Sequence, residues 1–176
     1  MARHVAFLRG VNLGKRQTRS ADLKAVFEGL GFTGVRTLIS SGNVVFETRT
    51  AKDLARRIEA ALEARFGFAI HLLLRSAEEL ASMVADHPFA DAPQADVAFH
   101  VLLAAEPFDP PPALAGVTGD FDVARITQRE LFFVVHKKSD GTFLGRSALS
   151  DIDRQLPKGI VVTMRNWNTI LKAAAP

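Results

Sequence analysis

VRTLISSGNVVFET, residues 35–48, decides the fold. Two β-branched apolar runs, VRTLI (35–39) and NVVFET (43–48), flank SSGN, a turn composition, so the stretch reads as a β-hairpin. Upstream, HVAFLRG (4–10) has strand composition. A helix follows, with Ser20 as its cap and Leu23, Val26, Phe27 and Leu30 at i, i+3, i+4 and i+7; Gly31 stops it. Downstream, Thr50 with Asp53 opens a helix whose Leu54, Ile58, Leu62 and Phe66 form one stripe, and AIHLLLR (69–75) returns as a strand. The order β-α-β-β-α-β is the ferredoxin-like alternation.

The remainder repeats that order without repeating the sequence. Ser76 and Glu79 form a capping box for a linking helix to about Ala85. DVAFHVLL (96–103) is a strand, and PPPALAGV (110–117) holds a short helix. FDVARIT (121–127) and RELFFVVH (129–136) alternate as paired strands, ALSDIDRQL (148–156) is helical, GIVVT (159–163) is a strand and NWNTILKAAA (166–175) a last helix. The expected class is α+β, with two ferredoxin-like β-α-β-β-α-β units and antiparallel sheets. The expected divisions are 1–75, a linking helix and loop at 76–95, and 96–176.

Of the 176 residues 48% are hydrophobic and 23% charged, enough for a packed core and unlike a disordered chain. The absence of cysteine excludes disulfides and thiolate metal sites. The start carries no signal-peptide pattern, and no run reaches the roughly 20 apolar residues of a membrane helix, so a cytoplasmic protein without membrane contact is expected. The net charge of +3 hides an asymmetry. Residues 1–75 carry 13 Lys/Arg against 6 Asp/Glu, residues 76–124 carry 9 acids and no Lys/Arg, and residues 125–176 carry 9 against 4. Two basic segments bracket an acidic one, which favours a localised cationic patch.

In a β-α-β-β-α-β unit the exit of the first strand and the hairpin share one sheet end. That places Arg9, Gly10, Asn12, Gly14, Lys15 and Arg16 beside Ser41, Gly42 and Asn43. Glycines expose backbone N–H groups, a helix N-terminus follows, and the cations add full charge, so the pattern suits a phosphate or carboxylate. GVNLGKR is one residue short of a P-loop and lacks its Ser/Thr. In the second half the same geometry gathers Lys137, Lys138, Arg146 and Ser147 near Arg165, Asn166, Trp167 and Asn168. An indole among amides and arginine can stack a base; the plainer reading makes Trp167 a core anchor and Asn166 a helix cap.

The five histidines form no metal-binding spacing, no G-x-S-x-G occurs, and Ser40 and Ser41 have no histidine near them in sequence. No catalytic residue, metal or cofactor is assigned. An RNA-recognition sheet face fits poorly, because Phe7 and Phe46 are the only aromatics on the relevant strands and are expected to face helices.

LRGVNLG, ADLKAVFEGLGF, SGNVVFE, GRSALS and T-x-RNWNT together resemble the bacterial domain of unknown function 1697 (DUF1697). The resemblance implies a small α+β protein with a duplicated ferredoxin-like arrangement, and no established activity, cofactor or catalytic residue. Its motif positions are Arg9, Gly10, Asn12, Gly14, Ser41–Asn43, Gly145–Ser147 and Arg165–Thr169. The chain departs from the pattern at Lys15, Ser20 and Ala148, where the family has glycine, methionine and lysine; the last change removes a cation from the second cluster. The expected function is binding of an anionic small molecule, a nucleotide or a nucleic acid. The alternatives are a metal-independent enzyme on a phosphoester and a partner-binding module, with the chain a monomer or a homodimer.

Overall fold

The computed structural model describes all residues except 13–16, 40–41, 50–51, 109–113, 115–120, 144–151 and 153. Its first sheet comprises β1 (Ala2–Leu8), β2 (Thr33–Thr37), β3 (Asn43–Thr48) and β4 (Leu72–Ser76), with helices α1 (Ser20–Gly29), α2 (Leu54–Phe66) and α3 (Ala77–Ala85). The second comprises β5 (Val97–Ala104), β6 (Phe121–Ile126), β7 (Glu130–His136) and β8 (Val162–Asn166), which runs into α4 (Trp167–Ala174). The strand orders are β2-β3-β1-β4 and β6-β7-β5-β8, and every pairing is antiparallel. The protein is α+β with a repeated ferredoxin-like order. The chain divides into two compact units, Met1–Ala85 with Thr169–Pro176, and Asp86–Asn168.

In the first unit, period-two alternation sends Ala6 and Leu8 of β1 into a core with Leu23 and Phe27 of α1 and Ile58 and Leu62 of α2. Phe46 lies at the centre of that core. Its ring stacks on Phe32 at 4.7 Å and meets Phe27 edge-on at 5.2 Å. Phe7 takes the opposite face and is also fully buried, as are Val5, Val45 and Leu73, so neither face of this sheet is an open aromatic platform. Burying each such side chain contributes about 1.5–3 kcal/mol.

Local signals were realised unevenly. The Ser76–Glu79 capping box is made in full: Ser76 N–H donates to Glu79 Oε2 (2.7 Å), and Glu79 N–H donates to Ser76 Oγ (3.1 Å). Ser20 instead lies inside α1, where extended Arg19 takes the cap position without a side-chain hydrogen bond. Asp53 precedes α2 in a left-handed conformation and likewise caps nothing, while Thr50 lies outside the described residues. β2 begins earlier than VRTLI and carries a bulge, leaving Leu38 and Ile39 beyond its end. In the second half, the helix expected at 110–117 lies outside the described residues apart from Leu114. Of 148–156, Ile152, Arg154 and Gln155 are helical.

The registers reveal a repetition that the sequence conceals. Val5 opposes Arg75 as Val101 opposes Arg165; His4 opposes Phe46 as His100 opposes Phe133; Arg36 follows a bulge opposite Val45 as Arg125 follows one opposite Phe132. In each unit the arginine of the last strand donates Nη1–H to the preceding carbonyl, Leu74 or Met164, both at 2.9 Å. The next residue, Ser76 or Asn166, caps a helix through its side chain.

Candidate functional site

At the end of β1, Leu8 N–H donates to Gly42 O and Arg9 N–H to His71 O, both at 2.7 Å. These bonds fix the β1 exit beside the β2–β3 hairpin. Gly10 (φ +72°) turns the chain out, a conformation open to glycine at little cost. Asn12 is left-handed as well (φ +58°), and its Oδ1 accepts from Thr18 N–H (2.9 Å) and Thr18 Oγ1 (3.4 Å). The amide therefore ties together the two ends of the segment that carries Gly14, Lys15 and Arg16, which lie outside the described residues. Arg9 and Arg19 are exposed, and no ion pair joins either to another described residue. The first-turn N–H groups of α1 have no side-chain cap, an arrangement that favours an anion.

The hairpin supplies the other wall. Leu38 N–H donates to Asn43 O (2.9 Å), and buried Asn43 returns its Nδ2–H to Leu38 O (3.2 Å), so its side chain fixes the turn. Ser41 lies outside the described residues. Gly42 (φ +123°) holds backbone that a side chain would strain. Ile39 is the anomaly: a β-branched residue at φ +42°, with 46% of its surface exposed. Such a conformation costs on the order of 1–3 kcal/mol, and strain of this kind clusters at functional sites.

The second cluster is built differently. Arg165 donates to Thr163 Oγ1 (2.6 Å) and Met164 O, and burial lowers its pKa to about 10, leaving it cationic at neutral pH. Asn166 Oδ1 accepts from Asn168 N–H (2.9 Å) and caps α4. Trp167 packs edge-on to Phe89 (5.3 Å) and Phe132 (6.0 Å), an anchor geometry. Lys137 pairs with Asp96 at 3.2 Å, while Arg146 and Ser147 lie outside the described residues.

The hairpin ends of the two units differ most. Five residues, 38–42, separate β2 from β3, whereas three, 127–129, separate β6 from β7. Ala104 N–H donates to Arg129 O and Ala105 N–H to Val161 O, matching the bonds of Leu8 and Arg9. Arg129 thus stands where Gly42 stands, and its Nη2–H reaches back to Ala105 O at 3.0 Å. Sequence reasoning missed Ile39, Thr18 and Arg129. Only the Asn12–Thr18 spacing left a readable trace, since an asparagine side chain readily closes a short loop. It also missed the pair His136 Nε2–Asp122 Oδ2 (2.7 Å), which borders a cavity of about 270 Å³ lined by His87, Asp91 and Asp122. Among the described residues no group of three His, Cys, Asp or Glu side chains is placed to hold a metal, and no helix is long and apolar enough to cross a membrane.

The family described as protein of unknown function (DUF1697) matches residues 1–132. The GRSALS and RNWNT stretches lie beyond the matched part. Among solved structures, the conserved bacterial protein SP0830 from Streptococcus pneumoniae is similar over 98% of this chain and 97% of that chain, with 20% identity and a TM-score of 0.71, a likeness of fold. No curated protein matches the chain.

Proposed function

Because this chain belongs to the DUF1697 family, whose description assigns no reaction, we propose its function from the site alone: it binds an anionic ligand at the hairpin end of the first unit. One observation carries the reading. Two loops held together by Leu8 N–H to Gly42 O bring exposed Arg9, the left-handed turn at Gly10 and Asn12, and the uncapped start of α1 to one sheet end. Backbone N–H groups and guanidinium supply directed donors, and a phosphate or carboxylate satisfies both. In sequence, Lys15 and Arg16 fall between Asn12 and Thr18 and add charge to this loop.

Calorimetric titration with inorganic phosphate, ribose 5-phosphate, nucleoside monophosphates and a single-stranded oligonucleotide tests this, at low and high salt. The triple variant Arg9→Glu, Lys15→Glu, Arg16→Glu should weaken binding by about 100-fold or more, since each charged hydrogen bond contributes roughly 1.5–3 kcal/mol. Lys137→Glu with Lys138→Glu should leave it unchanged. Retention of affinity by the triple variant, or no binding of any anion by the native chain, overturns the proposal. A small ligand should show little salt dependence, while a single strand should lose affinity with a log–log slope near −0.7 per phosphate contact.

A further inference from the structure

The acidic stretch between the two basic ones has no part in the anion site. We infer that it builds a second site, a cavity under residues 86–96 of the second unit that binds a small aliphatic ammonium ion. Residues 86–96 join α3 to β5 as a strap over the sheet face that carries Phe99, Phe132 and Val134. The strap is tied at both ends. Asp86 pairs with Arg125 at 3.4 Å; Asp96 pairs with Lys137 at 3.2 Å and accepts the Lys137 N–H on its own carbonyl at 2.9 Å. Between these ties Phe89 is buried, stacked on Phe99 at 4.5 Å and edge-on to Phe132 and Trp167. The cavity of about 270 Å³ lies between this anchored strap and strands β6 and β7.

Its floor is Asp122 opposite Val134, with Ala124 at the bulge of β6. Its wall is the strap, where His87 and Asp91 stand among prolines and alanines. Every lining residue except Val134 comes from residues 76–124, which carry 9 acids and no Lys/Arg. Among the described residues no lysine or arginine lines the cavity, and Arg125 and Lys137 are taken up by the ends of the strap. His136 Nε2, 2.7 Å from Asp122 Oδ2, orients that carboxylate at the border. Negative charge in a concave site attracts a cation. A metal ion does not suit it, because among the described residues no three His, Cys, Asp or Glu side chains are placed to hold one. An ammonium group needs only one or two carboxylates, and a short alkyl chain covers the prolines, alanines and Val134. The volume falls below the roughly 300–1,000 Å³ of drug-sized sites, which limits the chain to a few carbons.

Calorimetric titration of the full chain compares n-butylamine with 1-butanol and butyrate, which keep the alkyl chain and change the head group. Butylamine should bind about tenfold or more tightly than either, the effect of one charge-assisted hydrogen bond. Asp91→Asn and Asp122→Asn should each weaken butylamine binding about tenfold. Glu106→Gln, at an exposed acid of the same unit outside the cavity, should leave it unchanged. Trp167 touches Phe89, so unchanged emission in the two aspartate variants verifies that the strap is still seated. Where a variant disturbs the strap, the head-group comparison on the native chain decides alone. Equal binding of butanol, full affinity in both aspartate variants, or no binding of butylamine up to millimolar concentrations overturns the inference. None of these results bears on the anion site of the first unit, whose own titrations decide it.

Discussion

The two units share a strand order, a bulged edge strand, an inward arginine on the last strand and a side-chain cap on the helix that follows it. They part company at the hairpin. The second unit closes its turn in three residues and folds Arg129 onto its own backbone. The first takes five, keeps Ile39 strained and exposed, and puts glycine where the arginine would be. The shared features are those a ferredoxin-like sheet needs in order to fold. Among the unshared ones the left-handed backbone of Ile39 costs stability, and strain of this kind clusters at functional sites.

Breaking the shared core should have the largest effect. Phe46→Ala and Phe133→Ala remove matched, fully buried rings, and each should cost about 3–5 kcal/mol. Trp167, the only tryptophan, lies in the second unit against Phe132, so its fluorescence in a urea titration should report the Phe133→Ala loss directly. Circular dichroism should register the loss from Phe46→Ala. An unchanged midpoint in either variant would dissolve the equivalence of the two cores.

The caps come next. Ser76→Ala breaks a reciprocal box and should lower stability by about 1 kcal/mol; Asn166→Ala breaks a single bond and should cost no more than that. Ile39→Asn sharpens the contrast from the other side. Asparagine tolerates left-handed backbone, so the variant should gain about 1 kcal/mol by thermal denaturation, whereas Gln128→Asn, at the tip of the unstrained turn, should gain nothing.

The smallest effect is one of pH. Burial holds the His100 imidazole below its ordinary value, only partly opposed by the Ala98 backbone carbonyl, which favours the protonated ring. The unfolded chain then binds the proton first. The contribution of His100 is complete above about pH 6.5 and is lost as pH falls through that value toward the folded pKa. His100→Phe should flatten the dependence of the unfolding midpoint on pH in this window; a slope that stays as steep assigns it to other groups.

Much of this architecture was legible. The order of elements, the hairpin and the Ser76–Glu79 box follow from periodicity and spacing, since these are local preferences acting over a few residues. The repeat was not legible because its members lie at different offsets: His100 follows His4 by 96 residues, Phe133 follows Phe46 by 87, and Arg165 follows Arg75 by 90. Unequal loops erase any fixed period while the sheet keeps its register. Arg165 read as a cation for a ligand, whereas it is largely buried, and Trp167 read more plainly as a core anchor than as a base stacker; composition says nothing about which face of a strand a side chain takes. The strain at Ile39 has no sequence signature, as isoleucine beside a turn is ordinarily a strand residue. Asn12 read as a donor for a ligand, but its carbonyl oxygen holds Thr18.

Residues 169–176 belong with the first unit although the whole of the second intervenes. Arg3 and Arg36 hydrogen-bond the backbone carbonyls of Ala174, Ala175 and Pro176. On the ribosome, then, the unit begun first is completed last. At roughly 5–20 residues per second, its opening strands must wait several seconds for the carbonyls that finish them, long enough for the later unit to assemble in the interval.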